Sequence, residues 1–359
     1  VSAAIAVDGI RDAVRGAAKV LPRGAGTKPG LSAPGDDATP LDAAGLRGIT
    51  GYDPGELTFT ALAGTPIADL EATLGEHGQH LPFDPPLAAA GATLGGAVAS
   101  GVPGPNAFGN GVVRDFVIGA KVIDGRGRVV SGGGRVVKNA AGFDLPKLMV
   151  GSAGRLGVIV ELSCKVFPRP DRYATVVFEP ATFAASLAAL GALARGPVAL
   201  VALELAPPTT VTARLAGAAE LLDQRVARLR ELVDAPSLRI DPDAEAPLWE
   251  EARELAWAPA GAAVLAVPTA LGELPALERA LAPTDAPRRY GLGGGLAWIA
   301  WSPARPVAEL TALLAGLGLT GIALRAAPSD RALLGARPAN AFAERVRAAI
   351  DPDRKFLEV

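Results

Sequence analysis

Leu21-Pro22-Arg23-Gly24-Ala25-Gly26-Thr27-Lys28 is the stretch on which the fold turns. Glycines at 24 and 26 leave the backbone bare, so successive N–H groups can converge on an anion such as phosphate. An ordinary glycine turn between two elements would look the same in isolation. Two nucleotide-binding folds are excluded at once. The loop lacks a Gly-Lys-Ser/Thr ending, so it is not a P-loop. Pro29, Pro34 and Pro40 follow it, and they preclude the helix that a Rossmann fingerprint needs at this point.

Working outward, Gly91-Ala92-Thr93-Leu94-Gly95-Gly96-Ala97-Val98-Ala99-Ser100-Gly101 carries small residues at nearly every position. A flat ring or a backbone can lie against such a run, although a close helix–helix contact uses small residues equally well. A third segment runs Lys138-Asn139-Ala140-Ala141-Gly142-Phe143-Asp144-Leu145, then Val150-Gly151-Ser152-Ala153-Gly154-Arg155-Leu156-Gly157-Val158-Ile159. Residues 91–157 hold 17 of the 43 glycines, interleaved with good strands, which is the composition of a ligand-cradling sheet.

The pattern around these loops is readable. Residues 57–62 form a strand after the turn Tyr52-Asp53-Pro54-Gly55. A helix follows with Thr65 as cap, Pro66 at its first position, and Ile67, Leu70 and Leu74 on one face. Residues 116–130 read as a hairpin about Asp124-Gly125, and 157–167 as a strand closed by Pro168-Arg169-Pro170. Beyond 170 the expected order is helix 180–194, strands 197–205 and 209–215, helix 217–234 and a short helix near Trp249. It continues with strand 261–267, helix 271–282, strands 287–291 and 295–301, helix 305–317 and strand 320–326. This mixture predicts an antiparallel sheet covered by helices on one face. A last helix spans 341–350.

Half of the 359 residues are apolar, a fifth are charged, and the net charge is -2, so a general nucleic-acid role has no electrostatic support. Cys164 is the one cysteine, too few for a self-contained Fe–S cluster, and two histidines, His77 and His80, make an all-protein zinc site implausible. Redox chemistry here needs an organic cofactor. No apolar run is long enough to span a bilayer, and the start lacks a signal-peptide core, so no transmembrane segment and a cytoplasmic location are expected.

The order and spacing of the loops resemble the p-cresol-methylhydroxylase-type (vanillyl-alcohol-oxidase-type) FAD-binding family over roughly residues 15–170. The resemblance rests on the 23–28 loop, Leu81-Pro82-Phe83-Asp84-Pro85-Pro86, the Thr93-Leu94-Gly95-Gly96 run, Arg114-Asp115, and the Gly151-Ser152-x-Gly154-x-Leu156-Gly157-Val158-Ile159 strand. It implies an α+β fold, with an FAD domain of two α+β subdomains over 1–170. A small antiparallel-sheet-plus-helices cap then covers 171–326, and a C-terminal segment, 327–359, returns to the FAD domain. It also implies noncovalent FAD held by Arg23, Gly24, Ala25, Gly26, Thr27, Pro85, Thr93, Gly95, Gly96, Ser100, Arg114 and Ile159. No histidine stands where a covalent tether would be expected, and surface or packing roles are expected for His77 and His80.

Within that family the chain is most similar to FAD-bearing E-type subunits of glycolate-oxidase complexes. Tyr52-Asp53-Pro54-Gly55-Glu56-Leu57, Val113-Arg114-Asp115-Phe116-Val117-Ile118-Gly119, Lys138 to Leu145, Leu148-Met149-Val150-Gly151-Ser152 and Val166-Phe167-Pro168-Arg169-Pro170 carry that similarity. The resemblance implies oxidation of a small 2-hydroxy acid beside a second flavoprotein subunit and an Fe–S subunit, with any membrane association made through those partners. The sequence departs from complete dehydrogenases of the family, which place histidines in the cap and in a His-Gly motif of the returning segment. Residues 325–331 are basic and have no such motif. Arg325 and Arg331 can bind a carboxylate or form structural ion pairs, and neither can be a resting base. Lys138 and Tyr290 are the base candidates. A self-sufficient dehydrogenase and a non-catalytic, FAD-holding assembly subunit stay open beside the complex subunit. Trp298-Ile299-Ala300-Trp301 predicts a strand covered on both faces, one of them by core and the other by either core or a partner subunit.

Overall fold

The computed structural model describes residues 3–32, 38–134, 144–326, 332–336 and 341–357. Helix α1 (Ala3–Gly16) turns Ile10 and Val14 onto a parallel pair formed by β1 (Val20–Arg23) and β2 (Thr39–Asp42). There follow β3 (Ile49–Asp53), β4 (Thr58–Leu62), α2 (Ile67–Gly75), β5 (Gln79–His80), α3 (Leu94–Ser100), α4 (Ala107–Asn110) and α5 (Val113–Phe116). Next come β6 (Val117–Ile123), β7 (Val129–Gly133), α6 (Leu145–Met149), β8 (Val158–Lys165) and β9 (Phe167–Pro168). The strands β3-β4-β8-β6-β7 make an antiparallel five-stranded sheet. Phe59, Ala61, Leu162 and Cys164 are fully buried within it, the alternation a half-covered strand demands.

One expected cap is corrected. Helix α2 begins at Ile67 behind Pro66, and Thr65 does not cap it. The Thr65 hydroxyl donates to the Leu62 carbonyl at 2.7 Å and accepts from the Gly48 amide at 3.0 Å. It thus pins two loops, because the residue before a proline prefers extended backbone to a helical start.

The second unit runs β10 (Arg172–Phe178), α7 (Phe183–Arg195), β11 (Ala202–Ala206), β12 (Thr210–Gly217), α8 (Ala219–Arg230), β13 (Ser237–Arg239) and α9 (Pro242–Arg253). It continues through β14 (Ala263–Pro268), α10 (Leu274–Leu281), β15 (Arg288–Gly291), β16 (Leu296–Trp301), α11 (Val307–Gly316), β17 (Thr320–Arg325) and β18 (Leu333–Gly335). Nine antiparallel strands stand in the order β13-β10-β12-β11-β15-β16-β14-β17-β18. Sequence reading left out β10, although Tyr173, Thr175, Val176, Val177 and Phe178 are a good strand composition. The proline-rich stretch just before it looked like a linker running straight into the helix.

Helices α7, α8, α10 and α11 cover one face of this sheet through Leu190, Leu193, Val226, Leu277 and Leu310. Its other face lies on the first unit, where Val264, Ala266, Leu296, Trp298 and Leu324 share a core with Phe59, Ile67, Leu94 and Leu162. Trp298 therefore faces the first unit and Trp301 faces the helices. Both faces of β16 are filled by this chain itself, so the partner-subunit alternative for that strand falls away.

The returning segment starts later than residue 327. Strand β18 still pairs with β17, and only α12 (Ala341–Ile350) and the residues after it come back. There Lys355 accepts from the Val20 amide at 2.8 Å, and Phe356, 1 % exposed, bridges to Val20. Fully buried Asp351 anchors this end by accepting from the Lys355 and Phe356 amides, each at 2.8 Å.

Candidate functional site

The 23–28 loop leaves β1 and folds over the start of α3, and the turn at 151–157 closes on it from the other side. Between them lies an open groove. Arg23, Gly24, Ala25, Gly26, Thr27, Thr93, Gly95, Gly96, Ser100 and Ile159 all line it, joined by Lys28, Leu31, Ala63, Ala99 and Gly154. Ten of the twelve residues expected at the cofactor thus share one surface.

The glycines are there for closeness. A Cβ on Gly24 would stand 2.5 Å from Thr93 Oγ1, and one on Gly95 would stand 2.7 Å from the Ala63 methyl. Gly26, at the tip, has φ +73, a conformation open to glycine and strained for other residues. Thr93 caps α3 by accepting from the Gly96 amide at 3.2 Å. Among the described residues, the amides of Gly24, Ala25, Gly26, Thr27 and Lys28 donate to no protein acceptor. Five consecutive free N–H groups on the rim of a groove walled by small side chains fit an extended, phosphate-bearing ligand such as FAD.

The far wall is tied to α3. Gly151 donates to the Val98 carbonyl at 3.0 Å and Ala153 to the Ala99 carbonyl at 2.8 Å. Below the loop, Arg155 is 6 % exposed and donates Nη2 to the Leu31 carbonyl at 3.1 Å, with Nε and Nη1 unpartnered among the described residues. Burial, with Arg347 nearby, lowers the pKa of Arg155.

Two of the expected cofactor residues are elsewhere. Pro85 belongs to the 81–86 turn, and its carbonyl accepts from Arg253 Nε of α9 at 3.1 Å. Arg114 sits on α5 and donates to the Lys147 carbonyl at 3.4 Å. Neither lines the groove.

The catalytic candidates fare differently. Lys138 and Arg331 lie outside the described residues. Arg325 donates to the Glu254 carbonyl at 3.3 Å. Tyr290 is fully buried on the helix-covered face of the cap and donates to Glu278 Oε2 at 2.6 Å. Burial, then the Glu278 carboxylate, pushes its hydroxyl pKa far upward. It cannot serve as a base, and that candidate is corrected. A tyrosine's chemistry is visible in sequence; the face of the strand it occupies is not.

His77 meets Tyr52 edge-on at 5.2 Å, and His80 pairs with Phe167 in the β5–β9 ribbon, where burial lowers the pKa of its imidazole. Neither lines the groove. Cys164 is fully buried, which pushes its thiol up to about 12. The described residues hold no cluster of metal-ligating side chains and no helix long and apolar enough to cross a membrane.

Sequence reasoning missed Glu204. It lies on β11, 8 % exposed, and its carboxylate accepts no hydrogen bond among the described residues. Burial pushes its carboxyl up to about 7, against the pull of Arg289. A Cβ on Gly291 would lie 3.6 Å from both Glu204 Oε1 and Trp298 Nε1, so the carboxyl shares the FAD-domain face of the sheet with Trp298. The signal was present: Glu204 is the one charged residue in Val201-Ala202-Leu203-Glu204-Leu205-Ala206.

Comparison with known proteins agrees with this geometry. Residues 4–133 match the family described as FAD binding domain. The glycolate oxidase subunit GlcE of Escherichia coli is 46% identical over 161 residues, 45% of this chain and 46% of that protein. The glycolate oxidase subunit GlcD of Bacillus subtilis is 32% identical over 159 residues, 44% of this chain and 34% of that one. The mitochondrial D-lactate dehydrogenase [cytochrome] 1 of Saccharomyces cerevisiae is 32% identical over 145 residues, 40% of this chain and 24% of that one. The match spans less than half the length of each of these relatives. A solved alkyldihydroxyacetonephosphate synthase superposes over 97% of this chain and 74% of its own, with a TM-score of 0.69 at 15% identity, so the two-unit α+β fold is shared.

Proposed function

We propose, from the premise of an FAD-binding domain over residues 4–133, that this chain is the flavin-bearing subunit of a complex oxidising a small 2-hydroxy acid, of the glycolate oxidase type. The observation that carries it is the groove rimmed by five free amides at 24–28. Glycolate oxidase subunits and D-lactate dehydrogenases among the relatives support the substrate class.

FAD would supply the two-electron oxidation of a carbinol carbon. The chain's own part is to hold it. The amides of Gly24 to Lys28 would meet the diphosphate, and Gly95, Gly96, Ala99 and Ser100 would give the cofactor a smooth wall. The backbone at Val158 and Ile159 closes the far side. With no histidine or cysteine on the groove, binding is noncovalent. A second flavoprotein subunit and an Fe–S subunit would take the electrons onward, since a chain with one cysteine cannot ligate a cluster alone.

Glu204 favours a second reading, a self-sufficient dehydrogenase. Its carboxyl, titrating near neutrality, suits a base for a substrate hydroxyl. The test separates the two. The purified chain should be yellow and release all its flavin on acid precipitation. It should turn over glycolate with an artificial acceptor only when both partner subunits are added. Turnover by the isolated chain would select the second reading, and a protein that stays colourless with added FAD would defeat both.

A further inference from the structure

Lys28 ends the amide-rich loop and lines the groove, yet it is 6 % exposed and Nζ has no hydrogen-bond partner among the described residues. Buried ammonium groups are normally paired, because an uncompensated charge is expensive to take out of water. The facing charges do not pair it. Glu254, at the end of α9, points its carboxylate at the amides of Ala89 and Ala90, at 3.0 and 3.2 Å. Arg325 donates to the Glu254 carbonyl, Arg155 donates to the Leu31 carbonyl beneath the loop, and Arg23 lines the same groove. A groove lined by Arg23, Lys28 and five free amides suits an anion.

We infer that Lys28 is the counter-charge for the diphosphate of the bound dinucleotide. The inference rests on the FAD reading and adds to it a specific side chain and a specific part of the ligand. In the ligand-free chain, burial lowers Lys28 to about 8, with Glu254 opposing. Below that pH the ammonium is present and unpaired; above it the amine is neutral and gives the diphosphate nothing. An anion arriving beside Nζ restores an ordinary ammonium pKa, so binding and protonation are linked.

Three ligands divide the question: FAD, ADP, which carries the diphosphate without the ring, and riboflavin, which carries the ring without the diphosphate. Affinities for the apo-chain are measured between pH 7 and pH 10 by calorimetry or flavin fluorescence. ADP and FAD affinity should fall about tenfold per pH unit above 8, the slope of one linked proton. Lys28→Met should weaken both at pH 7 at least tenfold, abolish the slope and leave riboflavin unchanged. Lys28→Arg should keep the affinity and also lose the slope. The apo Lys28→Met protein should melt above wild type at pH 7, which shows that it folds and that the buried charge is a burden without ligand. The inference is overturned if Lys28→Met binds ADP as wild type does, or loses riboflavin and ADP equally. If wild type binds none of the three, the FAD reading itself fails.

Discussion

Gly24 and Thr93 are pressed so closely together that a methyl group on the first would stand 2.5 Å from the hydroxyl of the second. They come from different elements, the phosphate-type loop and the cap of α3, and their contact sets the height of the loop above the groove. Gly24→Ala should therefore lift the loop and reduce FAD affinity by at least tenfold, about 1.4 kcal/mol or more. Thr93→Ala alone should cost about 1 kcal/mol of stability through the lost cap. Combined with Gly24→Ala it should restore part of the affinity, because the colliding oxygen is gone. A double-mutant cycle on flavin binding checks this, and strictly additive losses would contradict it.

Glu204 titrates in the fold at about 7, above its ordinary 4.5. The native state thus holds the proton more tightly than the unfolded chain. The stability it contributes is complete below pH 4.5 and disappears as the pH rises through 7. By pH 8 the buried carboxylate should have removed on the order of 3 kcal/mol relative to acid pH. Glu204→Gln should melt close to wild type near pH 4.5 and clearly above it at pH 8. Parallel melting curves across that range would be the opposing result.

Tyr290→Phe tests the discarded base. The hydroxyl donates to Glu278, itself held by Arg288, so its loss should cost about 1–3 kcal/mol and leave the kcat of the assembled enzyme unchanged. A large fall in kcat with normal folding would return Tyr290 to the chemistry.

The cap holds a buried ion pair that should dominate its stability. Arg214 reaches Glu245 through two hydrogen bonds, at 2.7 and 2.9 Å, while stacking on Tyr173 at 3.9 Å. Glu245 also accepts from Thr175, which in turn accepts from Trp249. Glu245→Ala would strand the guanidinium and should cost about 3–5 kcal/mol in urea unfolding. The neighbouring Asn106→Ala, which removes one hydrogen bond from Arg214 at 3.0 Å, should cost about 0.5–1.5 kcal/mol.

Much of this was legible beforehand, for identifiable reasons. Gly24, Gly26, Gly95 and Gly96 advertise close approach, and their companions follow by short-range order along the chain. Most strands and helices of the cap announced themselves by period; β10 was hidden behind Pro168 and Pro170, and the three-residue β13 and β18 are too short to show one. Pro85 and Arg114 were carried to the cofactor by the family resemblance, and what the fold shows of Pro85 is a bond to Arg253, 168 positions away, beyond any local pattern. The fate of Tyr290, the isolation of Lys28 and the raised carboxyl of Glu204 are properties of burial. Burial depends on what the far side of a sheet packs against, which no local window contains.

Val20 opens the strand that leads into the amide-rich loop, and residues 355 and 356 flank it. Residues 335 positions apart thus meet at the root of the loop, so a substitution at Phe356 would be felt at the groove through a single strand.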